Sequence, residues 1–379
     1  MVASNPIFEI ENTYGQSIWM DNLSRNIIES GELKAMIAET GIVGITSNPA
    51  IFEKAIAGNQ IYDQDIANGI KAGKSVDKIY EDLVFADIQN ACDVFLPVYE
   101  KSNGLDGYVS IEVPPTIAND TATTISEAKR YYAAIDRPNV MIKIPGTPEG
   151  LPAVEAVIAE GINVNVTLLF SVDAYVDTAW AYIRGLEKLA ASGGDLSKVA
   201  SVASFFLSRI DSNIDGRLDA KIEAGGDSAK LSGLKGKVAI ANAKIAYQKF
   251  KEIFKGEQWQ ALADKGASYQ RLLWASTSTK NPEYSDVMYV DELVGPHTVN
   301  TLPPNTIEAC ADHCDPFGRI ESDLPQAQAL IASLADEDVN IDLSAVMAEL
   351  LAEGIDKFVK PFGSLMASLE AKAQQLTKV

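Results

Sequence analysis

The chain has 379 residues, 47% hydrophobic and 8% aromatic, enough apolar side chain for a sizeable core. Its 52 acidic residues outnumber 32 basic ones, giving a formal net charge of -20, which argues against nucleic acid or an anionic membrane surface as partner. Three cysteines, Cys92, Cys310 and Cys314, are too few for a disulfide framework. The first eleven residues lack a basic start and an apolar stretch, and no run is long enough to span a bilayer, so a cytoplasmic location is expected.

In chain order, Ser17–Asp21 reads as the first strand and Leu23–Glu39 as helical. Gly44–Pro49 is the second strand, followed by helical stretches over Ile51–Lys71 and Ser75–Tyr99. Gly107–Val113 is the third, stopped by Pro114 and Pro115. A helix over Ile125–Ile135 leads into the fourth, Val140–Ile144, closed by Pro145 and Gly146. An amphipathic helix over Gly150–Glu160 and a fifth strand, Val164–Phe170, complete a βαβ unit, which implies a parallel sheet. The pattern continues with a helix over Val172–Ala191, a sixth strand at Val199–Phe206 and a Gly- and Lys-containing connection from Gly216 to Gly236. Then come a helix over Val238–Phe254, a seventh strand at Arg271–Ser276 and an eighth at Thr298–Leu302. Helices over Leu324–Leu334, Ile341–Leu351 and Ile355–Gln375 end the chain. Eight short strands alternating with helices make a (β/α)8 TIM barrel of the α/β class, with additional helices, in one domain over residues 1–379.

The fourth strand carries an anomaly, Lys143, in an otherwise apolar run. Desolvating an ammonium is costly, so a buried lysine is paired or loses its proton, and a neutral amine in an apolar pocket suits Schiff-base chemistry with a ketone or aldehyde. The plainer reading is a lysine that reaches solvent or meets a carboxylate. Asn165 and Thr167 are two apart on the next strand, so they share a face that can meet Lys143. Polar residues stand late in other strands too: Asp21, Asn48, Glu112, Ser204 and Ser276. In this fold catalytic groups come from the C-terminal ends of several strands.

At these positions the chain resembles the transaldolase family of the pentose phosphate pathway, in its longer bacterial type. The resemblance rests on Gly44-Ile-Thr-Ser-Asn-Pro49, Ser110-Ile-Glu-Val113, Met141-Ile-Lys-Ile-Pro145 and Gly161 to Ser171, and on Ser204 to Asp211, Trp274-Ala-Ser276 and Asn300 to Pro304. It implies that Lys143 is the Schiff-base nucleophile, Asp21 the base at the sugar's C4 hydroxyl, and Glu112 the proton shuttle, with Thr167 holding a water. Asn48, Asn165 and Ser204 would bind the donor's hydroxyls, and Phe206 would line the site. The implied reaction moves a dihydroxyacetone unit from sedoheptulose 7-phosphate to glyceraldehyde 3-phosphate, by a ping-pong route with no cofactor and no metal. For the phosphate, Arg209, Ser276, Ser278 and Lys280 are the candidates. Ser278 stands where many members carry an arginine, which leaves Lys280 as its substitute; Arg209 can instead pair with Asp211.

Two other classes remain open: a Schiff-base aldolase that releases free dihydroxyacetone, and a non-catalytic barrel that binds sugar phosphates. A metal-dependent aldolase is disfavoured by the presence of only two histidines, His297 and His313. Cys310, His313 and Cys314 follow Pro303 and Pro304, where the cysteines share a helix face as packing residues, with a thiol switch or a zinc site as alternatives. The basic run Lys230, Lys235, Lys237, Lys244, Lys249, Lys251 and Lys255 reads as a solvated helix face or as a partner patch. Composition does not distinguish a monomer from a homodimer.

Overall fold

The structure is a computed structural model that describes residues 5–377. Eight parallel strands close a barrel in sequence order: β1 Gln16–Asp21, β2 Ile45–Thr46, β3 Val109–Glu112, β4 Val140–Pro145, β5 Val164–Leu169, β6 Ser201–Phe206, β7 Gln270–Ala275 and β8 Thr298–Leu302. The eight are the expected ones, and β8 pairs with β1 in parallel to complete the closure. Nearly every strand residue is buried, as a sheet covered by helices on its outer face requires.

The second strand is shorter than its sequence suggests. Only Ile45 and Thr46 pair, because Asn48 already caps the helix Pro49–Ile56, its side chain accepting from the Ile51 backbone N–H. Helices depart from expectation at several places, of which four bear on the mouth of the barrel or its flanks. The stretch after β1 breaks into Arg25–Glu29, Glu32–Ala35 and a π-helical turn, Met36–Thr40, with Gly31 in the left-handed conformation at the break. The helix Pro6–Tyr14, which the sequence reading left unassigned, packs beside β1. The connection after β6 is itself largely helical, as Ser208–Glu223 and Ser228–Ser232. The last two expected helices are one, Leu343–Thr377, running unbroken through Gly354. No helix among the described residues is long and apolar enough to cross a membrane.

Opposite the strand ends that carry the polar residues, the barrel is sealed by a buried ionic cluster. Arg271, near the start of β7, pairs with Asp106 at 2.9 Å and donates to the Ser17 hydroxyl at 2.7 Å. Asp106 also accepts from Trp19 Nε1 and from Ser17.

The basic run lies mostly within ion pairs. Lys230 meets Asp336 and Asp338, Lys235 meets Asp219, Lys244 is buried against Glu292, Lys249 meets Glu252 and Lys251 meets Glu321. These pairs neutralise much of the expected basic face.

Candidate functional site

Strand register builds the centre of the site. Glu112 on β3 lies opposite Lys143 on β4, and Lys143 lies opposite Asn165 on β5. Partners in register on adjacent parallel strands project to the same side, so three polar groups meet at one level inside the barrel. Lys143 is buried. Its Nζ donates to the Ser47 carbonyl at 3.2 Å and stands 3.7 Å from Glu112 Oε2, an ion pair too long to be a hydrogen bond. This lysine thus does not reach solvent and has a carboxylate beside it.

Glu112 is buried with both carboxylate oxygens free of hydrogen bonds in the protein. Burial pushes its pKa up to about 7, against the opposing pull of the Lys143 ammonium, and Asp21 adds a smaller upward push. The Thr167 hydroxyl is likewise buried without a protein partner. Three unpartnered acceptor sites beside an amine are costly in a dry interior, and they suit a bound water or a substrate hydroxyl.

Asp21, at the end of β1, is aligned with Thr46 in register and accepts from the Thr46 hydroxyl at 2.7 Å. Thr46 in turn sits 2.7 Å from the Thr301 hydroxyl on β8. With Thr46 donating to Asp21, Thr301 is the donor to Thr46, so one chain of hydroxyls fixes the carboxylate. Deeper in the barrel, Asn165 donates to Ser110 at 3.1 Å and accepts from Ser204 at 2.7 Å, which ties β3, β5 and β6 together.

A cavity of about 80 Å³ opens onto these groups. Of the residues singled out in the sequence, Asp21, Asn48, Lys143, Thr167, Ser204, Phe206, Arg209 and Ser276 line it. Glu112, 3.7 Å from Lys143, and the fully buried Asn165 do not line it. Ser278 and Lys280 sit beyond the cavity, bonded to each other at 2.6 Å. Sequence reasoning missed Thr46, Thr301 and Phe358, which also line it. Thr46 is two residues before Asn48 in the same motif, and Thr301 stands at the late end of β8; the rule that caught the other polar residues could have caught both. Phe358, one apolar residue on an amphipathic helix, carried no signal.

Arg209 enters in the first turn of Ser208–Glu223, directly after β6. It does not pair with Asp211, whose oxygens are taken by the Ala239 backbone N–H and the Tyr289 hydroxyl. Its guanidinium instead lies over Phe206, 5.2 Å from the ring centroid, and its Nη1 is buried without a partner. Ser276 follows β7 in the left-handed conformation, its hydroxyl 2.8 Å from that of Ser208. The Lys280 pKa is lowered, by desolvation first and then by its positive neighbours Arg209 and Lys54. Three cations thus crowd one rim of an acidic protein; among the described residues none of them is in a salt bridge, and Asp21, Glu353 and Glu112 act on Arg209 only from a longer range, an arrangement that suits an anion. His313 does not join the two thiols of the cysteine motif: its ring nitrogens meet Asp286 and Asp312.

A closed parallel barrel with an amine, two carboxylates and hydroxyls at the C-terminal ends of its strands defines an α/β-barrel enzyme with its site at the mouth. The model of the Transaldolase/Fructose-6-phosphate aldolase family matches residues 18–369, and the chain belongs to that family. It is 68% identical to a transaldolase of Trichodesmium erythraeum and 66% identical to a transaldolase 2 of Nostoc punctiforme, each over the whole of both chains. It is 45% identical, again over full length, to a transaldolase of Mycobacterium marinum. Its activity is that of a transaldolase, the transfer of aldehyde or ketone residues.

Proposed function

We propose that the transfer runs through an imine on Lys143, with a dihydroxyacetone unit passing from sedoheptulose 7-phosphate to glyceraldehyde 3-phosphate to give erythrose 4-phosphate and fructose 6-phosphate. The observation that carries this is the buried Lys143 amine facing the mouth cavity with the Glu112 carboxylate, free of hydrogen bonds, 3.7 Å away. Attack of the amine on the donor ketone expels water, and a group of pKa about 7 can supply and then recover the protons. Asp21, held apart from Glu112 by its hydroxyl chain, takes the C4 hydroxyl proton as the C3–C4 bond breaks and the iminium accepts the electron pair. Two carboxylates in unlike surroundings divide these roles. Thr167 holds the water used in imine formation and release; Asn48, Asn165 and Ser204 orient the donor hydroxyls, and Phe206 forms a wall. Arg209 holds the phosphate at the rim, with Lys280, Ser276 and Ser278 in support. The chain acts on sugar phosphates of the cytoplasmic pentose phosphate pathway.

Borohydride reduction in the presence of fructose 6-phosphate, followed by peptide mapping, tests the reading. It is expected to add a three-carbon unit at Lys143, and Lys143→Ala should fold and lose essentially all turnover. Label on another lysine would refute the assignment.

A further inference from the structure

We infer that Phe358, on the helix Leu343–Thr377, is the wall that keeps bulk water from the Lys143-bound intermediate and so sets how that intermediate divides between transfer and release as free ketone. The inference rests on the imine reading above.

The terminal helix crosses the barrel mouth, packed against Pro49–Ile56, Val76–Lys101 and Ser208–Glu223. Gly354, Phe358 and Phe362 are spaced by four and share its inner face. At Gly354 a Cβ would come within 2.9 Å of Leu168 Cδ2 and 3.6 Å of Arg209 Nη1, so the absent side chain lets the helix lie close over the end of β5. One turn on, the Phe358 ring is buried, its centroid 5.6 Å from Lys143 Nζ and 5.9 Å from the Arg209 guanidinium carbon. A further turn on, Phe362 meets Tyr80 edge-on at 5.4 Å. Lys143 at the reacting centre and Arg209 at the rim are therefore roofed by one aromatic ring where an open barrel mouth would place water.

The chemistry makes that roof matter. After cleavage of the C3–C4 bond, the three-carbon unit is an enamine on Lys143. In transfer, its carbon attacks the acceptor aldehyde, a C–C bond forms and the aldehyde oxygen takes a proton; the resulting iminium is then hydrolysed. In abortive release, the same carbon takes a proton instead. Water then adds to the iminium carbon, the C–N bond breaks, the water oxygen becomes the ketone oxygen and the amine is regenerated. Both routes need one water, which the buried Thr167 hydroxyl and Glu112 can hold. Only the abortive route is helped by bulk water and the protons it carries to the enamine carbon. Phe358 admits the first and excludes the second.

The test uses the full-length enzyme with fructose 6-phosphate as donor and an aldose phosphate as acceptor, measuring free dihydroxyacetone against transferred product. Phe358→Ala is expected to raise that ratio several-fold and Phe358→Leu, which keeps apolar bulk, to leave it near wild type. The kcat inflection of Glu112 should move to lower pH in Phe358→Ala, as water reaches a carboxylate otherwise surrounded by Lys143, Asp21, Arg209 and Tyr80. If the alanine variant does not fold, Phe358→Val is read by the same ratio. A variant that still forms the borohydride adduct at Lys143 yet shows an unchanged ratio and inflection overturns the inference alone. A wild-type enzyme with no adduct at Lys143 overturns the imine reading and this inference with it.

Discussion

Burial raises the pKa of Glu112 to about 7, and the Lys143 ammonium pulls it back only in part. The folded chain therefore keeps a proton that the unfolded chain, with a pKa near 4.5, gives up. This group's contribution to stability is complete below about pH 4.5 and is lost as the pH rises through about 7. Calorimetry across that window should show a decline in wild-type Tm that Glu112→Gln lacks, and the same variant should lose a kcat inflection near pH 7. The two acids should also separate in single-turnover experiments. Asp21→Ala should trap the imine but fail at C–C cleavage, and Glu112→Ala should slow imine formation, each by roughly 10²–10⁴-fold. Equal imine formation in the two variants would reverse the role given to Glu112. At the rim, Arg209 has a buried, unpartnered Nη1 and no carboxylate bound to it among the described residues. Arg209→Ala should raise KM for fructose 6-phosphate by roughly 10–100-fold, the worth of about 1.5–3 kcal/mol of charged hydrogen bonding. Lys280→Ala, at a more exposed position, should do less, and neither change should matter for a donor without phosphate.

Among the elements, the terminal helix was legible in extent but not in continuity. Gly354 reads in sequence as a stop, but glycine inside a helix costs only about 1 kcal/mol relative to alanine, and packing against β5 outweighs it. The helix Pro304–His313 was easier, since two prolines announce its start and Cys310 and Cys314 share its buried side. Their sulfurs lie 2.8 Å apart. The hydrogen bond between them and burial push the Cys310 pKa up, so the reactive thiolate is scarce, although the two sulfurs stand close enough for an oxidant to join them. Thiol titration of the native protein should find Cys92, Cys310 and Cys314 unreactive until unfolding, and mild oxidant should leave the activity unchanged. Reversible inactivation lost in Cys314→Ser would restore the switch.

Across the whole molecule the two ends of the barrel do different work. The mouth leaves Glu112, Thr167 and Arg209 with polar atoms unpartnered; at the base, where Gln16 and Gln270 each keep one unpartnered oxygen, the charged group Asp106 is saturated by Arg271, Ser17 and Trp19. Asp106→Ala strips partners from a buried guanidinium and two other donors and should cost about 3–5 kcal/mol of stability. Its KM for the donor should stay at the wild-type value, because the cluster lies at the opposite end from the site. A large KM change with unaltered Tm would contradict that division.

What the sequence determined by itself was local and periodic. Eight apolar runs spaced by helices specify a parallel barrel, since each run is too short and too apolar for any place but a covered sheet. The anomalous Lys143, and the late positions of Asp21, Glu112 and Thr167, were visible because a polar residue in an apolar strand stands out against its neighbours. Tertiary structure decided what depends on residues distant in the chain. Closing the barrel brought Thr301 to Thr46 across 255 positions and so oriented Asp21, and it set Glu112 beside Lys143 by register. The same closure laid Phe358 over a lysine more than 200 residues away. Local pattern records which face of an element is apolar; which element covers that face depends on contacts between distant parts of the folded chain.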